Sequence, residues 1–329
     1  MDGAMQREGL KKDQGASKGE NGAALITVLL IAALVTVIAV SMTSRQQIDI
    51  RRTANVIGGD QAQLLARGVV SWGIRVLKRD DAARDHLGED WAIGLIPTEI
   101  EGGGQISGFF EDMQGRFNVN TLISKDQKRR TFSQEHFTRL LEQCELDGDL
   151  VYAVIDWIDP DSNVTAFGGG EDESYMNHDP PYKTANQPMK SPSELLLVNG
   201  FTAEAYNCLA PHIAVLPDTE TDLNVNTVSA FVLDALSDTL TFVDAEEIVE
   251  NRPANGYDDV AEFLQLPQLI GHYVAGPTNT EYQGYFSVKS SYFLAQSYAT
   301  AGEGKTSLFS LLFRDGKKVT RESISIGVY

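Results

Sequence analysis

Seven carboxylates crowd one short stretch of this chain: Asp156, Asp159, Asp161, Glu171, Asp172, Glu173 and Asp179, with no Lys or Arg among them. Like charges at this density repel unless water solvates them or a cation neutralises them. Calcium suits such a set, because it takes about six to eight oxygens from carboxylates, amides and carbonyls. Asp159-x-Asp161-x-Asn163 begins like an EF-hand loop and then departs from it. Val164 stands where the loop needs its glycine, and Gly170 stands where it needs its final Glu, with Glu171 one residue late. A longer, irregular loop turning at Gly168-Gly169-Gly170 stays open as an ion site. A solvated acidic loop is the alternative.

The other reactive residue types form no constellation. His86, His136, His178, His212 and His272 are scattered, without a zinc-type pair at helical spacing. His178 beside Asp179 reads as loop surface rather than as a general base. No nucleophile elbow or kinase-like motif occurs. Gly302-Glu303-Gly304-Lys305-Thr306 superficially resembles a phosphate loop, but Ala299 replaces its first glycine and a strand pattern follows, so it reads as a hairpin turn. The chain is therefore not read as an enzyme. Cys144 and Cys208 suffice for one bridge, and both fall on apolar helical faces. In an oxidising compartment they pair; otherwise they are two buried thiols. The formal charge is −19, and the first 22 residues contribute none of it. Such a polyanionic body repels nucleic acid and anionic lipid and attracts cations.

The elements that hold these residues begin with Ala23–Met42, 20 residues without a charge. As a helix they span about 30 Å, one hydrocarbon core. A polar leader of 22 residues precedes them, ending Asn21-Gly22, and Arg45 follows. A secretory signal would place its small residues after the apolar run, not before it. The helix is expected to continue, with Ile57, Gln61, Leu64, Leu65, Val69, Trp72 and Val76 forming its apolar face and Gly58-Gly59 softening it. Strands are expected over Gly284–Ala299, Lys305–Phe313 and Val319–Val328, with Asp315-Gly316 as a hairpin turn and a further strand or hairpin in Gln105–Phe117. Between them lies an internal repeat. Phe117-Asn118-Val119-Asn120-Thr121-Leu122 recurs, 106 residues on, as Leu223-Asn224-Val225-Asn226-Thr227-Val228. Helical patterns follow each copy. Gly148 is expected to stop the first helix, Ser191-Pro192-Ser193-Glu194 is a capping box, and Ser229–Leu240, Asp244–Glu250 and Tyr257–Leu264 are expected as short helices. The class is α+β: a long spine helix on an antiparallel sheet, carrying a mostly helical insert.

The order of leader, glycine and apolar helix resembles the type IV prepilins. That resemblance implies cleavage by prepilin peptidase after Gly22 and N-methylation of Ala23. Most members of that family have Glu at the fifth mature position, where it pairs with a neighbour's amino terminus; here the position is Thr27. A subunit without that buried charge needs no partner above it and suits a fibre tip. Within the superfamily the layout resembles the K-type minor pseudopilins of type II secretion. Their acidic motif is matched by Asp156-Trp157-Ile158-Asp159-Pro160-Asp161, Gly170-Glu171-Asp172 and Ala185-Asn186-Gln187-Pro188. The resemblance implies bound calcium, with Asp159, Asp161, Glu171, Asp172 and Asn186 as candidate ligands.

The second repeat also resembles helix-hairpin-helix modules, in Asn224-Val225-Asn226-Thr227 and Glu246–Arg252. It lacks their glycine hairpin, however, having Ser237–Phe242 instead, so nucleic acid is not expected as a partner. The implied organisation is a leader over 1–22, a spine over 23–80 (membrane-spanning over 23–42), a pilin-like sheet from 81–119 and 276–329, and an insert over 120–275. The implied role is assembly of a pseudopilus with other minor pseudopilins, at the bacterial inner membrane with the body in the periplasm. A minor pilin of a type IV pilus or DNA-uptake system is the alternative, and a membrane-tethered calcium-dependent enzyme a more distant one.

Overall fold

The computed structural model describes residues 17–270 and 284–327. Residues 1–16 of the expected leader, and 271–283 around the expected end of the insert, lie outside the described residues. The chain forms two units, Met1–Ile57 and Gly58–Tyr329. Helix α1 (Ser17–Arg79) supplies all the described structure of the first unit. It is exposed and apolar all round from Leu25 to Met42, and it is long and apolar enough to cross a membrane.

In the second unit α1 packs on a sheet with a face that only partly matches its large apolar residues. Val69 is buried and Leu65, Trp72 and Val76 pack against the core, but the centre of the contact is shifted toward small residues. Ala62, Ala66, Val69, Val70 and Leu77 are buried, whereas Leu64 is 66% exposed. Close approach is the reason. A side chain at Gly304 would meet the Gly58 carbonyl carbon at 2.1 Å, and one at Gly73 would overlap the Phe110 ring. Small residues therefore mark the contact face, and the helix runs through Gly58-Gly59 unbroken.

After the single turn α2 (Asp90–Ile93) come strands β1 (Leu95–Glu99) and β2 (Gln105–Asp112). The chain then leaves the sheet. A first repeat holds β3 (Phe117–Asn118), α3 (Gln127–Gln143), α4 (Leu150–Ile158), α5 (Asp172–Tyr175), α6 (Ala203–Leu209) and β4 (Ile213–Ala214). A second holds β5 (Leu223–Asn224), α7 (Ala230–Asp234), α8 (Phe242–Glu250), α9 (Val260–Leu264) and β6 (Phe286–Ser287). The chain re-enters the sheet as β7 (Tyr292–Ala301), β8 (Gly304–Asp315) and β9 (Lys318–Ile326), giving the antiparallel order β1-β2-β7-β8-β9.

Gly302 and Gly316 take positive φ in the two tight turns of this sheet, so the glycine-rich segment is a hairpin and not a phosphate loop. The sheet is narrower in sequence than expected: it stops at Asp112 and resumes at Tyr292, and Phe117-Asn118 and Phe286-Ser287 belong to the insert, each pairing with a strand inside its own repeat. Helix α3 stops before Gly148, because Glu145 takes the left-handed turn (φ 60°). Helices α7 and α9 are shorter than their apolar patterns imply.

Where insert, sheet and spine meet, a buried polar cluster closes the structure. The Asp112 carboxylate accepts from Ser290 Oγ (2.6 Å), Thr227 Oγ1 (2.6 Å), Asn224 Nδ2 (2.8 Å) and Gln114 N (2.8 Å). Beside it the buried Arg314 guanidinium holds Asp80 at 3.0 Å and both oxygens of Asp85, donates to the Ser290 carbonyl, and lies over the Phe293 ring. Burial pushes the Asp85 carboxyl up to about 7 while Arg314 pulls it down; burial likewise raises Asp112. Elsewhere in the insert, Cys144 at the end of α3 is bonded to Cys208 on α6.

Two measurements check these anchors. Arg314→Met leaves buried carboxylates without their cation and should cost about 3–5 kcal/mol in chemical denaturation of the full chain in detergent. Asp85→Asn in that background should recover part of the loss, and a loss under about 1 kcal/mol would contradict the assignment. Replacing both cysteines with alanine reopens a 64-residue separation and should cost about 4 kcal/mol by the same assay.

Candidate metal centre

The apolar helix α4 buries Val151, Val154, Ile155 and Ile158 in the first repeat's core and carries Asp156 inward with them. The helix ends at Asp159, and the chain loops out and returns at Glu171 and again at Asn186, which adopts a positive φ of 46°. One oxygen from each of Asp159, Asp161 and Glu171 lies within 4.8 Å of the others. Four buried oxygens in this region have no hydrogen-bond partner: Asp156 Oδ2, Asp159 Oδ1, Glu171 Oε1 and Asn186 Oδ1. Their companion atoms are occupied. Asp156 Oδ1 accepts from Thr165 N at 3.0 Å, Glu171 Oε2 takes the Thr184 hydroxyl at 3.4 Å, and Asn186 N donates to the Trp157 carbonyl at 3.0 Å.

Leaving a buried acceptor unmade costs about 1–3 kcal/mol, and each is dearer when like charges face one another. Burial and the neighbouring Asp156 and Asp159 push Glu171 up to about 7; burial, then Asp161 and Asp156, pushes Asp159 up to about 6. A cation would reverse both. The orphaned donor set consists of oxygens alone, without thiolate or imidazole, which fits a hard divalent ion. Gly169 is part of the cradle: a Cβ there would come within 2.2 Å of Asp156 Oδ2.

The acidic residues differ in what they touch. Asp172 turns away, its oxygens taken by Lys183 Nζ (2.5 Å) and by Thr184 N and Oγ1 (3.2 and 3.0 Å). Asp156, outside the expected ligand set, presents one of the four unpaired oxygens. Its signal was the i, i+3 step to Asp159 at the end of an apolar helix, which places both carboxylates on one face. His178 contacts the Asn199 amide and stacks on Tyr175, a loop anchor.

The repeated asparagines are structural. Asn120 accepts from Met189 N and donates to the Met189 and Leu216 carbonyls. Its counterpart Asn226 accepts from Tyr257 N and donates to the Tyr257 and Val288 carbonyls. Asn118 and Asn224 each accept from the amide two residues on, and each donates to the segment that closes its repeat. All four are buried, so the residues that resemble a helix-hairpin-helix are consumed inside the fold. The missing glycine hairpin is replaced by a capping box at Thr241 and Asp244.

Two family models described as type II secretion system (T2SS), protein K, match residues 115–218 and 223–282, the two repeats. Type II secretion system protein K of Pseudomonas aeruginosa is 35% identical over 314 residues, covering 91% of each chain. That of Aeromonas hydrophila is 31% identical over 332 residues, covering 94% of this chain and 98% of the relative. Among solved structures, the GspK-GspI-GspJ complex of the enterotoxigenic Escherichia coli type 2 secretion system contains a chain that superposes with a TM-score of 0.73 at 27% identity, over 87% of this chain and 99% of that one. With relatives at 31–35% identity matched over more than nine-tenths of its length, the chain belongs to the type II secretion system protein K family.

Proposed function

We propose that this chain is a minor pseudopilin that joins companion pseudopilins at the tip of a type II secretion pseudopilus, and that calcium holds its insert in shape. The observation that carries the assembly reading is similarity, over 87% of this chain, to a chain of the solved GspK-GspI-GspJ complex. A structural role follows, in the export of folded proteins across the outer membrane. The apolar part of α1 anchors the chain in the inner membrane, with the body in the periplasm.

Gly22 and Ala23 are exposed on α1, where prepilin peptidase would cut and methylate. Thr27 supports a terminal place in the fibre. Its hydroxyl donates to the Ala23 carbonyl at 2.9 Å, so the side chain is satisfied within its own helix and demands no neighbour's amino terminus. The insert's bulk supports the same place, because repeated along a tightly packed fibre it would clash.

The calcium reading rests on the four orphaned oxygens of Asp156, Asp159, Glu171 and Asn186, with Asp161 adjacent. These residues would hold the ion, and its charge would cancel the repulsion that otherwise opens the loop. The ion is structural here, since the described residues hold no nucleophile or base arranged around it.

Amino-terminal analysis of the mature protein should begin at N-methylated Ala23. An intact leader, or a cut after Met42, would contradict the prepilin route. After chelation, adding calcium at a hundredfold above its Kd should raise the melting temperature by about 5–10 °C. Glu171→Gln should lose most of that rise, while Asp172→Asn should keep it. Equal melting with and without calcium would remove the ion from the account.

A further inference from the structure

The turns that follow the apolar run of α1 carry a one-sided cationic stripe, remote in sequence from the acidic loop. At about 100° per residue, Ser41, Ser44, Arg45, Ile48, Arg51 and Arg52 fall within a sector about 120° wide. All six are exposed, and Ile48 is 62% exposed. Among the described residues none of the three arginines has an ion-pair partner. Asp49 lies just outside the stripe and pairs with none of them. On a chain with a formal charge of −19, three unpaired guanidinium groups in eight residues run against the overall balance.

We propose that this stripe binds the headgroups of anionic phospholipids at the surface of the bilayer that α1 crosses. Position argues for it. Arg45 stands about 5 Å beyond Met42, inside a headgroup layer about 5–8 Å deep. Arg51 and Arg52 stand about 13–15 Å beyond Met42, and long arginine side chains reach back toward the interface when the helix tilts. Chemistry argues for it as well. A planar guanidinium takes two phosphate oxygens at once, and the hydroxyls of Ser41 and Ser44 add neutral donors at the same depth. Ile48, between Arg45 and Arg52, lies against the acyl boundary once the stripe faces the membrane, as in helices that rest at an interface. The opposite side of these turns holds Gln46, Gln47, Ile50, Thr53 and Ala54 and carries no charge, so the attraction has a direction and leans the helix toward the stripe. These contacts are given up if the helix leaves the bilayer, so they add to the work of extracting the subunit. The competing occupant is an acidic surface of a companion subunit.

The test uses the full chain in nanodiscs of equimolar phosphatidylcholine and phosphatidylglycerol, with the lipids retained on release counted by native mass spectrometry. The wild type should retain phosphatidylglycerol preferentially, by about fivefold for each arginine within reach of the surface, and high salt should weaken the preference. R45Q/R51Q/R52Q, which keeps helix-forming residues, should approach parity, whereas R75Q/R79Q, farther along the same helix, should not. Equal selectivity in the wild type and the triple variant overturns the proposal. So does parity in the wild type together with loss of companion binding in the triple variant, which would assign the stripe to a protein partner. A chain that fails to enter the bilayer at all overturns the membrane reading too, and is distinguished by its absence from the nanodisc fraction.

Discussion

The carboxylate of Asp112 sits at the last residue of a central strand and accepts four hydrogen bonds, two of them from the second repeat of the insert. A buried charge survives only when fully paired, and here the pairing partners come from three parts of the body. Asp80 and Asp85 follow the spine helix, Arg314 ends a strand, and Asn224 and Thr227 begin the second repeat. The large insert leaves and re-enters the sheet beside this cluster. Its placement on the pilin body therefore depends on groups that tolerate little displacement, since moving any one strands another without a partner in low dielectric.

The insert solves its own stability problem twice by the same means. Each repeat buries its own apolar cluster, closes with a two-residue parallel pairing, and spends two asparagines on bridging backbone groups that no regular element satisfies. The first repeat has additional work to do, because a long acidic loop interrupts it. A disulfide joins α3 to α6, and the loop turns four unpaired oxygens inward. Water would satisfy the lone pairs of those oxygens but leave the charges facing one another, and this supports the cation proposed there.

Much of this was legible in the sequence, and the misses share a physical cause. Periodicity and turn chemistry found the long helix, the three carboxy-terminal strands and their glycine turns, because those signals are local. On the spine the apolar pattern marks Val69 and the flanking Leu65, Trp72 and Val76, whereas close packing on the sheet centres the contact on Gly58, Ala62, Ala66 and Gly73, small residues that a hydrophobic pattern does not weigh. Strand β1 was hidden by Pro97, tolerable only because the strand lies at the edge. In the acidic loop, composition marks the segment, but which oxygens face one another is a tertiary fact. Asp172 carries the same acidic signal yet is satisfied by Lys183 and Thr184, while Asp156 lies on a helix whose pattern reads as plain core and presents an unpaired oxygen.

In the proposed tip placement, the self-satisfied Thr27 and the bulky insert leave a subunit that others can lie beneath and that none needs to lie above. Immunogold labelling of the insert on isolated pseudopili, viewed by electron microscopy, tests this most directly. The account predicts label at a single end of each fibre; label spaced along its length would contradict it.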